Sequence, residues 1–250
     1  MNNRMCFKKI RSIYMREAIT NNPDVESRIK YKQVLNNQIE SFIKTKTIDP
    51  KIKMKSTEVD KNQIIPIQPI FHLKRNGIYK ARIVVRGDLQ SDDTYGDIDT
   101  SLLNMESLKL FLILALEKDL TIRTMDINHA FLYADIKKKL YIQHPQDRSK
   151  ITPLYISIYG LKQSPKNRDD TLRTFLNKNN FYDTVHPPGL FLNEEKNVMI
   201  AAYVDDTIIA GKTEEGIDRI ITMFETEFTL NVVGKTVDKF LSTNIFGSDL

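Results

Sequence analysis

Two adjacent aspartates inside an apolar segment are the residues of this chain best suited to chemistry. The tetrapeptide Tyr203-Val204-Asp205-Asp206 has an apolar run on each side, at 198–202 and 208–210. Two apolar strands joined by a polar bend indicate a β-hairpin with both carboxylates at its tip. Neighbouring carboxylates repel each other, so they are usually solvated or neutralised by a cation. Because the flanking strands are apolar, the pair is a candidate for binding divalent metal in phosphoryl transfer.

A third aspartate stands at the end of another apolar strand. Asp126 follows Ile122–Met125 and precedes the hairpin pair by 79 positions. Two-metal phosphoryl transfer needs three such carboxylates, because one cation lowers the pKa of the attacking hydroxyl and the other stabilises the leaving oxygen. Taken alone, an aspartate at a strand end is more often a turn or N-cap residue. The sequence by itself does not show that the two sites meet in space.

The elements that must position these acids alternate between strands and helices. A hairpin is predicted around Asn76-Gly77 and a short strand over Thr121–Ile127, ahead of the catalytic hairpin at Gly189–Ala210. Helical periodicity predicts four segments, at 11–48, 106–118, 165–179 and 214–228, and the second of these is predicted to be buried. This mixture predicts an α+β fold in which a sheet packs on helices.

Composition and charge narrow the class of partner. The first 90 residues carry 19 lysines and arginines against 8 acids, within a chain of net charge +5. Such an excess suits a polyanion such as nucleic acid, although a solvated basic surface is an equal alternative.

The single Cys6 excludes internal disulfides and fits a reducing compartment. The longest apolar run, Leu110–Leu116, is too short to cross a bilayer, and no signal peptide is recognisable.

Four motifs in order resemble the reverse transcriptase of copia-type LTR retrotransposons. They are Lys80–Gly87, Asp126–Leu132, Tyr159–Pro165 and Tyr203–Asp206, with Leu140–Pro145 fitting between the second and third. The match runs from about residue 64 to 250 and more weakly back to about residue 10. Each motif alone is modest evidence, but four at family spacing argue strongly against chance.

The resemblance implies a right-hand polymerase fold, with an antiparallel palm sheet packed on helices and the thumb largely missing. It divides the chain into a basic, partly helical N-terminal extension at 1–62 and a reverse transcriptase region at 63–250. Within that region the fingers are expected mostly at 63–120 and 136–165, and the palm around 121–135 and 166–250.

The resemblance also implies a metal site. Asp126, Asp205 and Asp206 match the catalytic carboxylates of the family, and the backbone carbonyl of Ile127 would join them in binding two Mg²⁺ or Mn²⁺ ions.

Further residues are implied in substrate binding. Lys80 and Arg82 match a basic strand that holds the triphosphate, where cations offset developing charge, or they lie on a solvated strand face. Phe131 matches the aromatic gate that excludes a 2′-hydroxyl, or it is a core aromatic. The residues implied at the template and primer are Gly160, Lys162, Gln163 and Tyr203.

The function implied is RNA-directed DNA polymerisation from dNTPs on an RNA template and a DNA primer, with no membrane partner. The implied location is intracellular: a cytoplasmic virus-like particle in an intact element, or the nucleus. Arg168 departs from the family, which has tryptophan there, and would destabilise a buried site by about 3 kcal/mol or more. An alternative is therefore an inactive relic that at most binds nucleic acid. A third hypothesis, a viral RNA-directed RNA polymerase, fits the Phe131 gate and the tetrapeptide less well.

Overall fold

The structure, a computed structural model, describes residues 13–14, 16–74, 76–100, 102–184, 188–233, 239–240 and 243–244. The described residues form four α-helices: α1 (Val25–Lys44), α2 (Met105–Glu117), α3 (Ser164–Lys178) and α4 (Glu214–Glu225). Their strands are β1 (Ile13–Tyr14), β2 (Ile64–Ile65), β3 (Ile67–Leu73), β4 (Tyr79–Val85), β5 (Thr121–Ile127), β6 (Asp135–His144), β7 (Asp147–Ile156), β8 (Tyr182–Asp183), β9 (Leu190–Asn193), β10 (Val198–Tyr203), β11 (Asp206–Gly211), β12 (Leu230–Val233), β13 (Lys239–Phe240) and β14 (Thr243–Asn244). The predicted α+β class is confirmed.

Contacts within the chain divide it into two units, each made of two separate stretches. The first unit comprises Met1–Gly96 and Asp135–Ser164, and the second comprises Asp97–Ala134 and Pro165–Leu250. Residues 97–120, expected with the fingers, therefore fall in the unit that contains the expected palm segments. The assignment of fingers and palm stays a prediction. Residues 234–238, 241–242 and 245–250 of the expected palm lie outside the described residues.

The second unit is built on an antiparallel sheet with the strand order β12-β5-β11-β10-β9-β8. Alternate residues of a strand point to opposite faces. Ile200 and Ala202 of β10 accordingly join the core formed with α3 and α4, whereas Met199 and Ala201 join the core formed with α2. Both faces of the hairpin strands are thus covered, which explains why β10 is apolar at successive positions.

The helices of this unit differ in how much of their surface is covered. In α4, Ile217, Ile220, Ile221 and Phe224 are buried on one face, as the helical periodicity predicts. The prediction that α2 is buried is wrong for its outer face. Ile113 is 60% exposed and Leu116 is 74% exposed, because only the opposite stripe of this helix meets the sheet.

In the first unit, α1 packs on a small sheet of strand order β1-β3-β4. The ring of Tyr31 on α1 meets Phe71 and Tyr79 edge to face, with centroids 5.3 and 4.8 Å apart. The predicted hairpin between β3 and β4 is confirmed, and Gly77 takes a positive φ of 78° in its turn. A second sheet joins β2 in parallel to β6, which pairs with β7.

Among the residues that the structure describes, none of the helices has both the length and the apolar character needed to cross a membrane.

Candidate catalytic site

The three aspartates lie together at one end of the six-stranded sheet. Asp126 on β5 is the direct cross-strand partner of Asp206 on β11, and Asp206 in turn faces Tyr203 on β10. The backbone N–H of Ile127 donates to the carbonyl of Asp205 at 2.9 Å, which holds the hairpin turn against the end of β5. The structure thus brings together two segments that the sequence left apart.

The turn between the hairpin strands is strained. Only Val204 and Asp205 separate the paired residues Tyr203 and Asp206, and Val204 has a φ of +50°. A β-branched residue in the left-handed region is unfavourable, and such strain persists only where surrounding structure enforces it. Here the enforcing elements are the strand pairing on both sides and the hydrogen bond from Ile127.

The carboxylates concentrate negative charge. Burial raises the pKa of Asp206, and the neighbouring charges of Asp126 and Asp205 raise it further. A divalent cation would relieve this repulsion, and carboxylate oxygens are the donors that Mg²⁺ prefers. The chemistry of the donor set therefore suits a divalent cation.

The positions of the side chains are less suited to binding a metal ion. Across the described part of the chain, no group of three or more aspartate, glutamate, histidine or cysteine side chains is gathered closely enough to hold one metal ion. All three aspartates are half-buried, and Oδ1 of Asp205 is itself buried. The backbone therefore juxtaposes three acids, but their side chains do not yet converge.

Two asparagines that sequence reasoning missed belong to this cluster. Asn231 on β12 is the cross-strand partner of Asp126 on its other side, and its amide donates to Asp126 Oδ2 at 3.3 Å. The same amide donates to Asn128 Oδ1 at 2.5 Å. Nothing in the sequence marks Asn231, because only the pairing of β12 with β5 brings it to the site.

Arg168 is buried in the second unit, which also contains the three acids. It is 4% exposed, and burial lowers the pKa of its guanidinium to about 10, against the charges of Asp205 and then Asp169, which raise it. Its Nη2 has no hydrogen-bond partner among the described residues. Arg168 is therefore buried, and burial is the condition under which a cation at this position is expected to destabilise the fold.

The residues expected at the triphosphate lie in the first unit. Lys80 and Arg82 occupy the half-exposed face of β4, where Lys80 pairs across the strands with His72. Burial lowers the pKa of His72, as do the charges of Arg82 and Lys80. The Arg82 guanidinium also stacks over the ring of Tyr159 at 4.9 Å. This face is therefore a basic surface of the kind an anion would need.

The loop at 160–163 is tied closely to the residues that follow β4. A Cβ on Gly160 would stand 2.2 Å from the carbonyl oxygen of Val85, so glycine is required there by neighbouring backbone. Nε2 of Gln90 donates to Oε1 of the buried Gln163 at 2.9 Å. Lys162 has its own partners, which are Asp92 at 3.1 Å and the hydroxyl of Tyr95 at 2.9 Å.

The two aromatic residues expected at the substrate lie in the second unit. Phe131 is 8% exposed in the short 3₁₀-helix Ala130–Tyr133 that follows β5, and Tyr203 is 37% exposed at the end of β10. Phe131 is buried enough to serve as a core aromatic, so its burial does not separate the two roles considered for it.

Comparison with known proteins identifies the family of this chain. The model of the family described as "Reverse transcriptase (RNA-dependent DNA polymerase)" matches residues 55–248. The Ty1-ER2 and Ty1-MR2 transposon Gag-Pol polyproteins of Saccharomyces cerevisiae are each 35% identical over 222 residues, which is 87% of this chain and 12% of the relative. The chain thus spans about an eighth of the length of these relatives.

A solved structure supports the same fold. It is the foamy viral protease-reverse transcriptase dRH in complex with double-stranded DNA, matched with a TM-score of 0.50 and 18% identity over 80% of this chain and 30% of that one. The resemblance seen in the sequence motifs is confirmed. The chain belongs to the reverse transcriptase (RNA-dependent DNA polymerase) family, in its copia-type retrotransposon branch.

Proposed function

We propose that this chain supplies RNA-directed DNA polymerase chemistry, in which a primer 3′-hydroxyl attacks the α-phosphate of a dNTP. The bond from that oxygen to phosphorus forms as the bond to pyrophosphate breaks. The observation that carries the proposal is the cross-strand pairing of Asp126 with Asp206, with Asp205 in the adjoining turn, in a member of this family.

The acids would bind the metal. Asp126, Asp205 and Asp206, with the carbonyl of Ile127, would hold two Mg²⁺ or Mn²⁺ ions, which supply a lowered pKa at the attacking hydroxyl and charge stabilisation at the leaving oxygen. Burial raises the pKa of Asp206, and the charges of Asp126 and Asp205 raise it further; the repulsion among the three acids supports a cation as their partner.

The remaining roles follow from charge and exposure. Lys80 and Arg82 would bind the triphosphate from the basic face of β4, and Phe131 would exclude a 2′-hydroxyl. Gly160, Lys162 and Gln163 would support the template, and Tyr203 would contact the primer end. Because Lys162 is engaged by Asp92 and Tyr95, it would have to exchange those partners for a phosphate.

We further propose that the fingers lie mostly at 63–120 and 136–165 and the palm around 121–135 and 166–250, and that the polymer partners are an RNA template and a DNA primer. The foamy viral relative is described in complex with double-stranded DNA, which supports a nucleic-acid duplex as the partner.

Primer extension by the purified chain on poly(rA)/oligo(dT) with dTTP tests this function. We expect incorporation by the natural sequence and none after Asp205→Asn with Asp206→Asn. Asp119→Asn is the matched control, because this exposed aspartate of the second unit has a φ of +51°, which asparagine tolerates. Extension that survives the double substitution would show that these acids are not catalytic.

A second function, nucleic-acid binding without turnover, is favoured by one observation. Arg168, where the family has tryptophan, is buried in the unit that holds the three acids. This alternative predicts salt-sensitive binding of a template-primer in fluorescence anisotropy, with no nucleotide incorporated. Incorporation of dNTPs in preference to rNTPs would exclude both this alternative and an RNA polymerase.

A further inference from the structure

Helix α2 carries large apolar residues on the face that is turned away from the sheet. Its inner stripe, which includes Leu108 and Phe111, is buried in the core that it forms with β10. On the opposite face Leu110, Ile113 and Leu116 are all exposed. A helix that is apolar on every side is typical of one covered on every side, and an exposed apolar patch often marks an interaction site. The exposed face of α2 therefore needs a partner.

Two charged residues flank this apolar stripe. Lys109 and Glu117 are exposed, and within the part of the chain that the structure describes neither forms an ion pair. Residues three and four positions apart share one side of a helix. The two charges therefore lie on the same side as the apolar stripe. We call this set the outer α2 face, which consists of Lys109, Leu110, Ile113, Leu116 and Glu117.

The outer α2 face is symmetric about Ile113. Leu110 and Leu116 lie three positions from it on either side, and Lys109 and Glu117 lie four positions from it. If two α2 helices run antiparallel and meet at Ile113, each position before it lies level with the equivalent position after it on the other helix. Leu110 then lies level with Leu116 of the second copy, and Lys109 with Glu117 of the second copy. The face is thus complementary to itself in apolar character and in charge, as a twofold interface requires.

We propose that the outer α2 face binds a second copy of this chain, in an antiparallel twofold pair centred on Ile113. The 13 residues of α2 form a helix about 20 Å long. A cavity of about 550 Å³, lined partly by Leu114, Leu120 and Leu192, continues the apolar surface beside it. Because one helix face covers less than the roughly 800 Å² per partner of a standard interface, the association is weak and depends on concentration. It does not depend on the proposed function, which uses no residue of the outer α2 face.

Sedimentation equilibrium of the purified full chain, at micromolar to submillimolar concentrations, tests this proposal. We expect the mass to rise from that of a monomer to that of a dimer and no further, because a twofold interface is closed. Ile113→Glu places like charges against each other at the centre of the pair and should weaken association roughly tenfold or more. Ile29→Glu on α1 is the matched control, because Ile29 is 60% exposed, as Ile113 is, and should leave association unchanged.

Charge exchange tests the antiparallel arrangement. Lys109→Glu and Glu117→Lys each place like charges level with one another across the pair, so each variant alone should associate more weakly than the natural chain. An equimolar mixture of the two variants should recover the association of the natural chain, because every level then pairs an acid with a lysine. Circular dichroism of each variant checks that the substitutions at these exposed positions leave the fold intact.

Four outcomes would overturn the proposal. A chain that stays monomeric over the whole concentration range leaves the outer α2 face to a different partner. Association of Ile113→Glu that equals that of the natural chain places the contact elsewhere. A mixture of the two charge variants that associates no better than either alone contradicts the antiparallel pairing. Masses that rise beyond a dimer indicate open apolar clustering in place of a twofold pair.

Discussion

Replacing glycines in the first unit separates two physical effects that usually occur together. Gly160 has a φ of +97°, and an added Cβ would lie 2.2 Å from the carbonyl oxygen of Val85. Gly77 has a φ of +78° but no atom within 4 Å of such a Cβ. Gly77→Ala therefore introduces only the backbone strain, whereas Gly160→Ala introduces the strain and a steric clash.

The magnitudes follow from these contacts. A left-handed conformation costs alanine about 1 kcal/mol relative to glycine, which is the expected loss for Gly77→Ala. The clash at Gly160 forces the loop away from β4 and disrupts the hydrogen bond from the N–H of Val85 to the carbonyl of Tyr159, 2.9 Å long. The lost hydrogen bond and the overpacking bring the total for Gly160→Ala to about 3 to 5 kcal/mol.

Urea unfolding followed by far-ultraviolet circular dichroism measures these losses, since the chain has no tryptophan for fluorescence. Because the chain contains two units, hydrogen exchange of peptides around Val85 should locate the effect in the first unit. Gly87→Ala supplies the remaining case, with a Cβ 1.9 Å from the carbonyl oxygen of Gly160 and no positive φ. A loss for Gly160→Ala no larger than that for Gly77→Ala would refute the steric account of this loop.

Burial and charge set three further expected outcomes. Gln163→Ala should lower the free energy of unfolding by about 1 to 3 kcal/mol in urea, because it removes the acceptor of the buried Gln90 Nε2. Phe224→Ala should cost about 3 to 5 kcal/mol, against less than about 0.5 kcal/mol for the exposed Ile113→Ala, both measured by urea unfolding. Asp206→Asn should stabilise the metal-free chain at neutral pH, since the raised pKa means that folding opposes ionisation there. That advantage over the natural chain should disappear as the pH falls below 3.8, the ordinary pKa, because the carboxyl then becomes protonated in the folded and unfolded states alike; thermal melting across pH in the presence of chelator would check it.

Features that depend on neighbouring residues could be predicted from the sequence. The strand Thr121–Ile127 has the predicted bounds, and the turn at Asn76-Gly77 joins two strands as expected. The apolar face of α4 also matches, although the helix ends at Glu225 and Phe228 reaches the core just beyond it. In each case the signal is a local period or a turn residue with a special backbone requirement.

Features that depend on distant pairing could not be predicted without the resemblance. Alternation fixes which face of β5 a residue occupies but not its register, so the pairing of Asp126 with Asp206 is invisible in the sequence. Asn231 enters the site only through the pairing of β12 with β5.

The interleaving of the two units governs the order in which they can form during synthesis. Ile64 of β2 pairs with Tyr141 of β6, and the 97–134 stretch of the second unit lies between them in the chain. Part of the second unit must therefore be synthesised before β2 of the first unit can pair with β6. β5 has no pairing strand until β11 and β12 have been synthesised. Long-range pairing of this kind slows folding and leaves apolar strand edges exposed in the nascent chain. β5, with its apolar residues Ile122, Met125 and Ile127, is accordingly a segment for which a chaperone would matter during translation.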